Sequence, residues 1–352
     1  MNKQKFVYIP VSLINFKPLI MEEIKALLEI FLGKKLELEM KENLILLNLP
    51  LHVGFQIALR ASHLKYAGAI FETEEEFLSI IRLLSKYQNH ETIFPSFHVR
   101  LIKTNGGKLH EKELRDHEKK EIGRIVKFVE NLLPNAFINL REPSFIVDLI
   151  EYNAQKFKVV RLPLGRRRIT KRDPQYRLFA PPATMDAQFS RLLVNIARTR
   201  PADVFLDPFC GSGSIVIEAS LVGAYALGLD IHPKLIYGAQ ENSEYLDVES
   251  RFLIGDALKL PFGDSTIDAI ATDPPYGRSA STFHREIRTL YEDFLEEASR
   301  VLRKSRFISI CSPPVLFDIA NLAEKFGFHV IFQHKIRVHK GLERLISVFR
   351  LS

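Results

Sequence analysis

A short stretch in the last third of the chain combines groups that can act on a nitrogen atom. Thr272–Ser281 reads TDPPYGRSAS and follows an apolar run. Prolines cannot continue a sheet ladder, so the run predicts a buried strand that stops at Asp273. The Asp273 carboxylate and the Pro274 carbonyl can each accept one N–H of a base amino group, whose lone pair is otherwise delocalised into the ring. The stretch predicts a clamp for such an amine, with Pro275 fixing the backbone and Tyr276 stacking on the base.

A second stretch predicts a ligand-binding turn. Residues 204–219, VFLDPFCGSGSIVIEA, have the pattern of a strand, a glycine turn and a helix. Gly211 and Gly213 let the backbone pass close to a ligand at the start of the helix. A dinucleotide fingerprint needs glycine where Val216 stands, and no Gly-Lys-Ser/Thr follows for a phosphate loop. The pattern therefore disfavours NAD and ATP.

Acidic residues follow three successive predicted strands in this region. Asp230 suits ribose hydroxyls, Asp207 suits a cationic ligand, and Asp256 suits an adenine amino group. Three acids without an anchoring cation describe S-adenosylmethionine, which carries ribose, adenine, an ammonium and a sulfonium but no phosphate. Each acid taken alone is equally well explained as a helix cap or a solvated turn.

The elements that must position these groups fall into two regions. At 352 residues the chain is long enough for two or three domains. Residues 1–60 and 61–162 have mixed α+β patterns, and residues 163–182 form a basic, proline-containing linker. From residue 183 to residue 352, helical and strand patterns alternate, which predicts a doubly wound parallel α/β sheet.

Composition narrows the remaining possibilities. No run is long and apolar enough for a membrane span, and the N-terminus lacks a secretory pattern, so we expect a cytoplasmic protein. Two distant cysteines, Cys210 and Cys311, indicate neither a disulfide framework nor a zinc site, and the histidines show no metal-ligand spacing. Although the formal net charge is +7, the segment Lys156–Arg172 alone holds eight basic residues and no acid. The positive field is therefore local.

Several motifs in fixed order support a family resemblance. DPFCGSG, GLDIHP, GDA and ATDPPYGRS resemble the amino-methyltransferases, and the whole chain resembles the archaeal tRNA (guanine-10-N2)-methyltransferases. FHVRLIKTNGG, KKEIGRIVKFV and LREPSFIVDLI are similar to a THUMP domain, the RNA-binding module of that family. The resemblance implies a Rossmann-like class I methyltransferase domain after a ferredoxin-like subdomain (1–60) and a THUMP domain (61–162).

The resemblance also implies roles for individual residues. Asp273, Pro274, Pro275 and Tyr276 would clamp the target amine. Within YRLFAPPATM, Thr184 and Met185 would lie near the methionine end of S-adenosylmethionine. The rest of the cofactor pocket would be lined by Asp207, Pro208, Gly211, Gly213, Asp230, Ile231, Asp256 and Ala257.

The expected partner is tRNA, bound in part by the basic linker. Basic side chains neutralise phosphates, and the candidates are Arg166, Arg167, Arg168, Lys171 and Arg172. A solvated loop without a partner is the alternative explanation of such a run. We expect a monomer that methylates guanosine N2 at position 10, giving N2-methyl- and N2,N2-dimethylguanosine. The sequence leaves open whether one or two methyl groups are added and whether a small activator subunit is required.

Other functions stay open at this point. DPPYG does not choose among amines, so the target could be another tRNA guanosine, such as position 6, or an adenine or cytosine of DNA. The chain could also be an RNA-binding adaptor with a vestigial methyltransferase domain. That last hypothesis predicts broken motifs, whereas the glycine turn, Asp230 and DPPY are intact.

Overall fold

The structure is a computed structural model that describes residues 3–10, 16–40, 44–87, 95–105, 108–110, 116–152, 155–163, 167–182, 184–276, 286–339 and 342–352. The chain forms two compact units. The first comprises Met1–Ser12 and Glu37–Arg168, and the second comprises Leu13–Leu36 and Ile169–Ser352.

The elements before residue 162 are, in order, β1 (Lys3–Pro10), α1 (Lys17–Leu32), β2 (Ile45–Pro50), α2 (Leu51–Arg60), β3 (Leu64–Ile70), α3 (Glu74–Tyr87), β4 (Ser96–Asn105), β5 (Lys108–His110), α4 (Asp116–Leu132), β6 (Phe137–Ile138), β7 (Phe145–Tyr152) and β8 (Gln155–Arg161). The strands form one sheet in the order β2-β1-β3-β8-β7-β4-β5, with β6 beside β4. Phe77 of α3 and Phe128 of α4 pack with Phe71, just after β3, and with Phe145 of β7, with ring centroids 5.2 to 6.2 Å apart between contacting rings.

This first sheet runs across the boundary that the sequence predicts at residue 60. β3 pairs with β1 on one side, and Ala69 and Ile70 pair with Val160 and Val159 of β8 on the other. Because β3 links the strands of both predicted subdomains, residues 1–60 and 61–162 are not separate compact units. The regular alternation of apolar residues predicts strands but not which strands pair.

The later elements are α5 (Arg167–Thr170), a 3₁₀ turn (Pro174–Tyr176), α6 (Ala187–Ile196), β9 (Val204–Asp207), α7 (Ser214–Ser220), β10 (Tyr225–Asp230), α8 (Pro233–Tyr245), β11 (Arg251–Ile254), β12 (Ile267–Thr272), α9 (Ile287–Val301), β13 (Leu302–Ser312), α10 (Ile319–Glu324), β14 (Phe328–His339) and β15 (Leu342–Leu351). Their sheet has the order β11-β10-β9-β12-β13-β15-β14. The strands from β11 to β13 are parallel, and β15 is antiparallel to both of its neighbours. The predicted doubly wound α/β fold is confirmed.

The order of the strands fixes where a ligand can bind. β10 and β11 lie on one side of β9, whereas β12 and β13 lie on the other. The carboxyl ends of β9 and β12 therefore flank the topological switch point, the usual ligand crevice of an open α/β sheet. Two apolar cores, one containing Phe205 and Ile346 and the other Phe294 and Phe349, fill the space on either side of this sheet.

Helix α1 corrects the predicted domain boundaries, because it belongs to the second unit and not to a subdomain of residues 1–60. Its Leu19 lies in the same core as α6. The buried Arg198 just after α6 contacts Glu22 at 2.6 Å and Glu29 at 3.0 Å. Acids on a helix usually indicate a solvated face, so no sequence pattern predicts this pairing.

None of the helices in the described residues is long and apolar enough to cross a membrane. Within the same residues, no cluster of three or more His, Cys, Asp or Glu side chains could hold a metal ion.

Candidate functional site

The switch point brings Asp207 and the DPPY stretch together. Asp207 is the last residue of β9, and Asp273 follows directly after β12. The hydroxyl of Thr272 donates a hydrogen bond of 2.7 Å to the Asp207 carboxylate. Both acids line one open cavity of about 240 Å³ with Thr184, Met185 and Gly211. The structure thus joins three stretches that are far apart in the sequence.

Asp207 lies almost entirely inside the protein, at 1% exposure. Burial raises the pKa of its carboxyl to about 7, although hydrogen bonds from Thr272 and the Phe209 N–H favour the ionised form. A carboxylate that has lost its water gains from a cation more than an exposed one does. Asp207 is therefore suited to a positively charged ligand in the cavity.

The glycine turn forms one wall of the cavity. Gly211 and Gly213 have φ angles of +52° and +86°, in the left-handed region that favours glycine. A Cβ atom at Gly211 would meet no protein atom within 4 Å, so the backbone there faces open space. Asp230 holds the turn in place, because its carboxylate accepts the N–H groups of Gly211 and His232, each at 3.0 Å.

The segment before α6 is tied to the same turn. The Thr184 hydroxyl donates to the Pro181 carbonyl at 2.6 Å, and the Ser214 hydroxyl donates to the Met185 carbonyl at 3.1 Å. Thr184 and Met185 therefore lie at the cavity.

The other predicted cofactor residues lie outside the lining of that cavity. Ile231, directly after β10, is 41% exposed, and Ala257 packs in a core. Asp256 accepts the Leu258 N–H at 3.0 Å and lines a separate depression that includes Asp293. Pro208, Gly213 and Asp230 are also outside the lining. The structure thus brings together four of the ten, namely Thr184, Met185, Asp207 and Gly211.

The cavity fits S-adenosylmethionine by its chemistry. A buried acid at Asp207 matches the ligand's positive charge, and the open space over Gly211 leaves room for close approach of a ligand. Among its described lining residues there is no lysine or arginine that would anchor a phosphate.

The clamp residue Asp273 has two protein partners. The Tyr276 hydroxyl donates to its Oδ1 atom, and Arg344 of β15 donates to its Oδ2 atom at 2.9 Å. Burial raises the pKa of Asp273, and the charge of Arg344 opposes that rise. Sequence reasoning missed Arg344, which stands outside every motif. The Tyr276 ring is half-buried against the core, so its stacking on a base stays a prediction.

One of the predicted RNA contacts is contradicted. Arg172 donates to both oxygens of the buried Glu218, at 2.6 and 2.9 Å, and Arg191 pairs with the same carboxylate at 2.7 Å. Because an internal acid neutralises its charge, Arg172 is not a free phosphate-binding group. Lys171 is exposed, and α5 begins at Arg167. Arg166 lies outside the described residues.

Comparison with known proteins decides the class of the second unit. Residues 174–330 match the family described as RMKL-like, methyltransferase domain. The matched segment is less than half of the chain and lies within the second unit. The match confirms the predicted methyltransferase domain, the sheet order agrees with class I architecture, and S-adenosylmethionine is the methyl donor that the cavity fits.

Relatives of this chain include three archaeal proteins. Two are named tRNA (guanine(10)-N2)-dimethyltransferase: one from Methanothermobacter thermautotrophicus, 32% identical over 64% of this chain, and one from Pyrococcus abyssi, 35% identical over 60%. The third, a tRNA (guanine(6)-N2)-methyltransferase from Methanocaldococcus jannaschii, is 29% identical over 55% of this chain. The matches cover 66%, 63% and 62% of these relatives' own lengths.

Proposed function

We propose that this protein methylates the exocyclic N2 amine of a guanosine in tRNA, at position 10, giving N2-methyl- and N2,N2-dimethylguanosine. The observation that carries the proposal is the position of Asp273. Its carboxyl group lies on the same cavity as Thr184, Met185 and Gly211, so an amine acceptor and the cofactor residues face one space.

Groups of this chain match the two partners of the reaction: hydrogen-bond acceptors face the amine, and an acid faces the positive charge of the cofactor. S-adenosylmethionine supplies an electrophilic methyl group on its sulfonium. Asp273 and the carbonyl of the buried Pro274 each accept one N–H of the target amine, which directs the nitrogen lone pair away from the base ring. Asp207, which lines the same cavity, stabilises positive charge. The methylated ammonium is acidic enough to lose its proton to water or Asp273, so a separate general base is not required.

The choice of tRNA and of position 10 rests on the relatives. The guanine(10) enzymes from two archaea match at 32% and 35% identity, and the guanine(6) enzyme matches at 29%. In this proposal, residues 61–162 are the THUMP module and bind tRNA together with Arg166, Arg167, Arg168 and Lys171. A cytoplasmic monomer, with or without an activator subunit, stays a prediction.

The test is nucleoside mass spectrometry of unmodified tRNA incubated with the protein and S-adenosylmethionine. We expect N2-methylated guanosine, mapped to position 10 by fragmentation of the tRNA. Asp273→Ala should abolish the product while S-adenosylhomocysteine still binds within severalfold, because this carboxylate acts on the substrate amine. Asp264→Ala is the control, since Asp264 is a surface carboxylate with 78% side-chain exposure.

The outcomes separate the alternatives. N2-methylated guanosine at position 6 would replace position 10 as the target but would keep the proposed N2 methylation. Methylated adenine or cytosine in DNA, with none in tRNA, would overturn the substrate class. Undiminished turnover by Asp273→Ala would remove Asp273 from the clamp, and tRNA binding without any methylation would favour the adaptor.

A further inference from the structure

Strand β15 delivers an arginine to the amine clamp from a distant part of the chain. Arg344 is 9% exposed and lies 71 positions after Asp273. Its Nη2 atom donates to Asp273 Oδ2 at 2.9 Å, and its Nε atom donates to the Tyr276 hydroxyl at 3.2 Å. Its guanidinium lies 5.7 Å from the ring centroid of Phe189. Arg344 is therefore fixed in position by polar and aromatic contacts.

Among the residues that the structure describes, the other ionisable groups that face Asp273 come from several elements. They are Tyr276 after β12, Cys311 of β13, Tyr291 of α9 and Asp207 of β9. The last of these is an acid, and burial raises the pKa of Tyr276, Tyr291 and Cys311 well above their usual values. Of all these groups, Arg344 alone brings a positive charge.

A positive charge at this point changes what Asp273 can do. Burial alone favours the protonated carboxyl, which has one acceptor oxygen fewer for an amine. An adjacent guanidinium stabilises the carboxylate and holds its plane. Tyr276 and Arg344 each occupy one acceptor position, one on each oxygen, so about one further position on each oxygen stays open.

We propose that Arg344 is a positioning residue for methyl transfer: it keeps the Asp273 carboxylate ionised and oriented so that the remaining acceptor positions receive the target amine. This inference rests on the proposed function of Asp273. Arg344 itself touches neither the cofactor nor the amine in this role.

The test compares three variants of the full-length protein. Arg344→Gln removes the charge, Arg344→Lys keeps it, and Arg350→Gln changes an exposed arginine of the same strand. The pH dependence of single-turnover methyl transfer to tRNA is measured for each. We expect Arg344→Gln to move the acid limb of the profile upward by about 1–3 pH units, the usual effect of losing an adjacent opposite charge. Arg344→Lys and Arg350→Gln should keep the limb of the unmodified protein.

A second measurement needs no substrate. The Asp273 carboxyl is titrated by ¹³C NMR in protein labelled with [γ-¹³C]aspartate, its signal being assigned with Asp273→Asn. The same upward shift is expected in Arg344→Gln. If both the NMR titration and the acid limb of Arg344→Gln coincide with those of the unmodified protein, the proposal is overturned.

Two controls keep the result decisive. Calorimetry with S-adenosylhomocysteine reports whether each variant is folded. If Arg344→Gln does not bind S-adenosylhomocysteine, the test rests on Arg344→Lys. Because this variant keeps the positive charge, an upward shift of its acid limb contradicts the proposal. If the unmodified protein does not methylate tRNA, the proposed function fails, whereas the NMR titration still reports whether Arg344 controls Asp273.

Discussion

The Asp207 carboxyl group changes its ionisation near neutral pH. Its carboxyl lies at the cavity, and burial raises its pKa to about 7. The group is therefore close to half-ionised at pH 7, and a cationic ligand must favour its ionised form. Binding of such a ligand and loss of the Asp207 proton are thermodynamically linked.

The affinity for S-adenosylmethionine should consequently fall as the pH drops below about 7. Above the pKa the carboxylate attracts the ligand, and below it the ionised fraction falls by about tenfold per pH unit. Calorimetry from about pH 5.5 to about pH 7.5 measures the effect, since the ligand's α-ammonium has a pKa of about 8 and stays mostly charged there. Asp207→Asn should bind more weakly and with no such pH dependence. A flat profile in the unmodified protein would show that Asp207 does not sense the ligand's charge.

At the scale of single residues, sequence alone could predict the acids but not their partners. Asp207 and Asp273 stand at the ends of apolar runs, and parallel strands of an α/β sheet end at one edge. The two acids are therefore neighbours: Thr272, the residue before Asp273, donates its hydroxyl hydrogen bond to Asp207. Arg344 and Glu218 carry no comparable local signal, because each meets its partner through the tertiary fold. That is why Arg344 was missed and why Arg172 was wrongly assigned to RNA.

The element that shapes the cavity wall is the turn between β9 and α7. Asp230 accepts two backbone N–H groups, one from this turn and one from the residue before α8. The carboxylate thus fastens the turn to the end of β10. A ribose hydroxyl of the bound cofactor is its proposed third partner.

Asp230→Ala should therefore reduce both stability and cofactor affinity. The loss of charged hydrogen bonds is expected to lower the free energy of unfolding and the free energy of S-adenosylhomocysteine binding by about 1–3 kcal/mol each. Thermal unfolding and calorimetry measure the two effects. Asp318→Ala is the matched control, since Asp318 caps α10 by accepting two backbone N–H groups. It should cost stability alone, and unchanged cofactor affinity in Asp230→Ala would place Asp230 outside the pocket.

Element types were easier to predict than the assignment of elements to units. Alternating helical and strand patterns after residue 183 gave the sheet correctly, because burial on both faces produces apolar strands between amphipathic helices. Helix α1 is capped at its C-terminus by Gly33 with φ +68°. Its place in the second unit depends on buried Glu22 and Arg198, which a periodicity argument counts as solvent-facing.

At the scale of the whole molecule, the second unit is discontinuous in sequence. It takes residues 13–36 from the N-terminal part of the chain and residues 169–352 from the C-terminal part. Removing α1 would uncover apolar core surface and leave the buried Arg198 without Glu22 and Glu29. Breaking a buried ion pair by removing one side costs about 3–5 kcal/mol.

A fragment of residues 169–352 should accordingly be unstable, whereas the same fragment joined to residues 13–36 by a flexible Gly/Ser linker should fold and bind S-adenosylhomocysteine like the full chain. The joined fragment lacks the first unit and the basic residues up to Arg168, so we expect it to lose most of its affinity for tRNA. Thermal unfolding, calorimetry and filter binding of labelled tRNA measure the three properties.

Full-length Arg198→Met tests the same contact without truncation, and it should lower the unfolding temperature with cofactor binding retained below the transition. If residues 169–352 alone are as stable as the joined fragment, α1 is dispensable to the second unit. If the joined fragment binds and methylates tRNA like the full chain, the first unit does not position the substrate.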